Sequence, residues 1–192
     1  MKKVFLMVVA AMMATMSVNA QEAGRAYPRF YIGGTLATLT GNDAYKQNIG
    51  CTVGMGLDYF FTKKFAASID LSDRIFRAKN KATDKNMSLE YIGINPMAKY
   101  YVKPWLALQG GPEISFLVHA KMDGESYTDN FKETEFSLPL GVSFEPRLGN
   151  RKLLIDLRYH LGLSHVNKSG AYPDNMRNSA LILNIGFNFG PF

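Results

Sequence analysis

One cysteine, one tryptophan and three histidines are all that the 192 residues hold of those types. A lone cysteine excludes an intrachain disulfide framework and any cysteine-rich metal module, and the histidines show no metal-ligand spacing. No apolar run reaches the ~18–20 residues that a membrane-crossing helix needs, and amphipathic helical periodicity is missing beyond the first twenty residues. Disorder is excluded in turn, because hydrophobic residues make up 47% of the chain and recur along its whole length. Lys and Arg (22) outnumber Asp and Glu (16), but they are scattered singly through loops and turns. No basic helix or stripe is formed, so nucleic acid is not an expected partner. Gly54-Met55-Gly56 precedes no helix and is a piece of strand, not a nucleotide loop. No cofactor and no metal site are expected.

The opening of the chain reads as an export signal. Lys2 and Lys3 precede an apolar stretch from Val4 to Met16, and Val18-Asn19-Ala20 resembles a cleavage site. Residues 1–20 are therefore expected to be a cleaved signal peptide, and residues 21–192 one domain.

That domain alternates with period two, the signature of strands with one apolar face. Ile49, Cys51, Val53, Met55, Leu57 and Tyr59 oppose Gly50, Thr52, Gly54, Gly56 and Asp58. The pattern repeats over 65–72, 135–145, 153–164 and 179–189, and less cleanly over 30–39, 87–102 and 105–118, where a register change is expected near Pro96. Eight strands are joined alternately by short turns and by long polar loops over 40–48, 78–86, 119–132 and 165–178. This is the plan of an eight-stranded antiparallel up-and-down transmembrane β-barrel, not of a Greek-key sandwich.

The non-greasy face decides what lies inside. It mixes Gly, Ser, Thr and Ala with sparse charge: Asp58, Asp70, Arg74, Glu90, Lys99, Glu113, Glu135, Glu145, Asp156 and Arg158. Small residues and few charges suit a narrow lumen in which every charge needs a partner, so these ten are the expected polar network of the lumen. Tyr27, Phe30, Tyr31, Tyr59, Phe60, Phe61, Phe65, Tyr100, Tyr101, Trp105, Phe144, Phe187 and Phe189 lie near the chain ends or short turns. They are expected to form an interfacial belt at one rim. Cys51 falls on the greasy face as a small hydrophobe.

The run from Leu89 to Tyr101 (LEYIGINPMAKYY), followed by Gly110-Gly111-Pro112-Glu113-Ile114, resembles the central hairpin of the outer-membrane β-barrel domain common in Bacteroidetes, often called porin family protein. Phe30 to Gly34 and Leu181 to Phe189 fit as well. Where that family usually has an acid-Ile-Pro-Leu step, this chain reads Gly93-Ile94-Asn95-Pro96. The resemblance implies a Gram-negative outer-membrane location and no catalytic residues. The final strand with Phe192 resembles the signal that such barrels present to their insertion machinery.

Function is thus expected to be a small integral outer-membrane barrel with a structural or loop-mediated binding role, its lumen filled and not a general diffusion pore, since open aqueous pores need ~16 strands. Partners would be outer-membrane lipid, lipopolysaccharide and, during assembly, the insertion machinery. Tyr127, Phe131 and Tyr172 are candidate loop contacts. Two alternatives stay open: a narrow or gated ion path through the acidic lumen, and a soluble periplasmic lipocalin-like barrel holding a lipophilic ligand. A Ser–His arrangement of His160, Ser164 and His165 lacks an orienting acid, so no enzyme is expected.

Overall fold

A computed structural model describes residues 23–40, 45–81, 84–148, 151–168 and 176–190. The expected signal peptide (1–20), Tyr172 and Phe192 lie outside these. Eleven strand segments follow one another: β1 (Ala26–Thr40), β2 (Tyr45–Phe60), β3 (Phe65–Asn80), β4 (Asn86–Lys103), β5 (Leu106–Gly110), β6 (Glu113–Met122), β7 (Glu125–Ser126), β8 (Thr134–Phe144), β9 (Arg147–Leu148), β10 (Arg151–Gly162) and β11 (Arg177–Asn188), with one 3-10 turn at Thr128–Asn130. All pairings are antiparallel. Each long strand pairs with the next, and β1 pairs with β11 from Arg29↔Asn188 to Thr40↔Arg177, so the sheet closes on itself.

The count exceeds the expected eight for simple reasons. Segments β7 and β9 are two-residue pieces at turns. Segments β5 and β6 make one span, flanked by β4 on one side and β8 on the other. The span is interrupted at Gly111-Pro112, where proline has no N–H to give the ladder. Asn95 compensates: its Nδ2 donates to the carbonyl oxygens of Gly111 (3.3 Å) and Pro112 (2.7 Å).

The interruption does not change register. Ile94↔Ile114 and Ala98↔Gly110 lie in one frame, and β4 runs past Pro96 against β3 without a shift. The expected register change near Pro96 is therefore absent. The shift occurs at Glu90/Tyr91 against β6 instead, and a second lies between Asn48 and Cys51 in β2. Strands also extend further toward the long loops than alternation alone suggests, and His119 belongs to β6, not to a loop. There Asp123 (φ 50°) and Gly124 (φ 93°) form the two-residue turn between β6 and β7, a conformation that Asp-Gly adopts readily. At the β3–β4 turn, Lys79 Nζ donates to Asp84 Oδ2 at 2.7 Å, and this hydrogen bond holds the Asp84 carboxyl below its ordinary range.

The greasy rows face outward. Ile32, Ile49, Ile69, Leu108, Leu140, Leu183 and Ile185 are all exposed, while the small and charged rows are buried within the ring. A lipocalin-like interior requires the opposite arrangement, so that alternative is corrected. The expected aromatic belt divides. Tyr59, Phe61, Phe65, Tyr100, Trp105, Phe144 and Phe187 are exposed at the short-turn end, whereas Tyr27, Tyr31, Phe60 and Tyr101 point inward and are buried, and the Phe189 ring is covered by the Arg151 guanidinium.

Candidate functional site

The interior is the chemically distinctive part of the molecule, and it is layered. At the short-turn end Tyr27, Phe60, Ala66, Tyr101 and Ala107 form an apolar floor. The Tyr27 and Phe60 rings meet edge to face at 5.3 Å, and Phe60 lies 5.2 Å from Tyr101.

Above the floor the charges alternate in sign along a chain of contacts. Lys99 Nζ lies 2.6 Å from Glu145 Oε1 and 2.9 Å from Asp58 Oδ2. Asp58 Oδ1 lies 2.9 Å from Arg29, which also pairs with Asp70 through its second terminal nitrogen and its Nε. Asp70 then meets Arg158 at 2.8 Å, and Arg158 pairs with Asp156. Gln109 Nε2 donates to Asp156 at 2.9 Å, and Tyr101, Ser143 and Asn188 donate to Glu145.

Nearer the loops, Arg74 holds Glu113 with two bonds of 2.7 and 2.9 Å, the fork geometry that suits guanidinium to carboxylate. Arg74 also donates to His160 Nδ1 at 3.0 Å. Since guanidinium can only donate, Nδ1 accepts, which leaves the imidazole proton on Nε2, 3.4 Å from Glu135 Oε1. Asn178 Nδ2 donates to the other Glu135 oxygen at 2.9 Å.

A second apolar layer closes this network. Phe76, Met87, Leu89 and Tyr91 from the strands meet Phe131, Val166 and Met176, which come from segments between the strands. A void of about 10 Å3 beside Tyr31, Arg74, Glu113 and Arg158 has room for about one water.

Nine of the ten residues expected in the lumen are buried here: Asp58, Asp70, Arg74, Lys99, Glu113, Glu135, Glu145, Asp156 and Arg158. Glu90 is not among them. It faces outward and meets His119 Nδ1 at 3.4 Å. Glu90 and Lys99 have opposite parity, so both could face inward only if β4 changed register between them. Its pairing with β3 runs through without a shift. Arg29 was missed by the sequence reading, because Tyr27-Pro28-Arg29 precedes the first clean alternation. Its one clue is parity with Tyr31 and Gly33. Among the described residues the buried balance is six carboxylates to four cations, with His160 beside Glu135.

Of the loop candidates, Tyr172 lies outside the described residues, and Phe131 is turned into the ring. Phe131 is 1% exposed and is part of the upper apolar layer. Tyr127 packs against that layer, half-buried. Ser164 and His160 do not meet: Ser164 Oγ accepts the Phe136 N–H at 2.9 Å, while His160 is engaged by Arg74 and Glu135.

Glycine makes room for the largest lumen groups. A Cβ at Gly54 would collide with the Tyr31 ring, and one at Gly56 with Asp70 Oδ1 and Arg29 Nε. Gly56→Val is expected to cost about 1–3 kcal/mol by overpacking. A lowered urea midpoint would register this, and an unchanged midpoint would show that the Arg29–Asp70 contact can move aside.

The solved structures that resemble this chain share its fold at low identity. The outer membrane protein OprG of Pseudomonas aeruginosa matches with a TM-score of 0.51 and 14% identity, over 90% of this chain and 98% of that one. Ail of Yersinia pestis, solved in complex with the heparin analogue sucrose octasulfate, gives 0.51 and 13%, covering 88% here and 100% there. Neisserial surface protein A gives 0.51 and 18%, over 84% and 95%. No curated protein matches in sequence. The family model described as outer membrane protein beta-barrel domain matches residues 8–189. With apolar rows facing out, a sealed antiparallel ring and that match across nearly its whole length, the chain belongs to the outer membrane protein beta-barrel domain family and is a small barrel of the bacterial outer membrane.

Proposed function

We propose that this barrel is a non-conducting, non-enzymatic outer-membrane protein whose roles are structural and surface-mediated. The observation that supports this reading is the filled interior: an ion-pair chain from Glu145 to Asp156 and, nearer the loops, the Arg74–Glu113 pair with His160 and Glu135, all lying between two apolar layers. An ion entering such an interior would have to displace side chains that are already paired or hydrogen-bonded to one another, and would cross Tyr27, Phe60 and Tyr101 at one end and Phe131 at the other. Breaking buried pairs of this kind costs several kcal/mol each. In this reading the short turns face the periplasm, and the long loops meet lipopolysaccharide and any partner outside. The insertion machinery receives the C-terminal strand during assembly.

Planar-bilayer recording tests the proposal directly. Purified protein is expected to give no discrete conductance steps across the full range of applied voltage. Reproducible steps that disappear with a substitution in the stack, such as Asp156→Asn, would overturn it in favour of a gated path.

A further inference from the structure

The outer wall carries a feature that the lumen does not explain. Toward the long-loop end the apolar rows of β3, β4 and β6 give way to a cleft of about 660 Å3, lined by Asn48, Arg77, Asn86, Ser88, His119 and Lys121. This falls within the ~300–1,000 Å3 typical of ligand sites.

The cleft is created by the register shifts. In β6 the shift opposite Glu90/Tyr91 leaves Ala120 buried and His119 and Lys121 exposed. Alternation continued from Phe116 without that extra residue would send His119 and Lys121 into the lumen and Ala120 out. The β2 shift lies at the same height, where Asn48 pairs with Arg77. Bulges that re-aim side chains recur beside functional sites.

Arg77 and Lys121 both lie in register with Ser88, one on each side of β4. Strands stand ~4.8 Å apart, so the two cations begin about 10 Å from each other, a gap that two long side chains and one phosphate would fill. The acids that line the cleft are already occupied. Glu90 meets His119 at 3.4 Å, and Asp123 Oδ1 accepts the Asn86 N–H at 3.0 Å. Among the described residues, neither Arg77 nor Lys121 has a carboxylate within ion-pair distance. Directly below lie the outward-facing Ile75, Ile92 and Ile94.

We propose that this cleft binds the phosphorylated headgroup of an outer-leaflet lipid, with Arg77 and Lys121 holding the phosphate. Asn48, Asn86 and Ser88 complete its hydrogen bonds, and the acyl chains run down over Ile75, Ile92 and Ile94. Guanidinium suits phosphate by its fork of donors, and the position at the edge of the apolar wall requires an amphiphile. The inference rests on the reading that the greasy rows face lipid with the long loops outside, but not on the interior being closed to ions.

The test uses the full chain in mixed micelles with a diphosphorylated acylated glucosamine disaccharide or its dephosphorylated form, with native mass spectrometry as the readout. One phosphorylated lipid per chain is expected to be retained. Loss of both phosphates, or the pair Arg77→Gln and Lys121→Gln, should lower retention about tenfold, which corresponds to ~1.4 kcal/mol. Free glycerol phosphate should not displace the bound lipid. Equal retention of the two lipid forms by the native chain would overturn the proposal, and so would displacement by glycerol phosphate, which would indicate a soluble ligand. A chain that is not lipid-embedded would retain neither form and would show no heat-dependent shift on gels, so that failure is distinguishable. Should the double variant lose its heat shift, the two lipid forms on the native chain decide the matter alone.

Discussion

Arg29→Ala is expected to destabilise the barrel by about 3–5 kcal/mol, the usual consequence of removing one partner from a buried ion pair. Arg29 is 2% exposed and bridges two carboxylates, Asp58 and Asp70. Its loss leaves Asp58 to Lys99 alone and Asp70 to Arg158 alone, and it opens a space over Gly56 in the middle of the lumen. Trp105, the single tryptophan, lies exposed on the outer surface near the short turns and reports unfolding by fluorescence. A clear fall in the urea midpoint is expected, set against an unchanged midpoint for the exposed turn substitution Lys81→Ala. Equal midpoints would mean that water enters the lumen and solvates Asp58 and Asp70 in place of Arg29, and the picture of a dry, ion-paired interior would then fail.

Lys99→Met should have an effect of similar size for a different reason. Lys99 is fully buried, and its ammonium is the cation in direct contact with Glu145 among the described residues. Methionine keeps most of the volume, so packing is largely preserved and the loss isolates the charge. Glu145 would keep the hydrogen bonds from Tyr101, Ser143 and Asn188 but would lose the cation in direct contact with it, beside the apolar floor. Because Arg29 and Lys99 share Asp58, their effects should not be independent. Each single variant leaves Asp58 one cation, and the double variant leaves it none. The loss in the double variant is therefore expected to exceed the sum of the single losses by about 0.5–3 kcal/mol, the range seen for residues in one network. A strictly additive result would show that Asp58 is neutralised in some other way.

The difference between Glu90 and Lys99 shows where the sequence stops being readable. Both are charged, both lie in β4 and both read as lumen residues. Parity allows only one of them inside unless the register changes, and proline at position 96 is a reasonable place to expect such a change. Whether a proline breaks a register or merely leaves a gap depends on the strand beside it. Here Gly111-Pro112 supplies the gap and Asn95 closes it, so β4 keeps its frame and Glu90 stays outside. Phe131 makes the same point for loops. An aromatic residue between strands can meet a partner or fill the ring beneath it, and only the return path of the chain shows that it packs on Phe76 and Met87's layer. Arg29 was hidden because Pro28 interrupts the alternation that would have counted it.

By itself the sequence determined the fold class, the division of each strand into an apolar and a polar face, and most of the charges that share the polar face. These follow from period-two alternation, which is a local property: a side chain's face is decided by its neighbours at one and two positions away. The tertiary structure alone decided which charge meets which, where the two apolar layers lie, and that Arg77 and Lys121 stand on either side of Ser88. Those relations join residues on different strands, and they depend on register shifts of a single residue, each of which turns everything beyond it to the opposite face. Alternation within one strand carries no information about such shifts, because they arise only when the strand is paired.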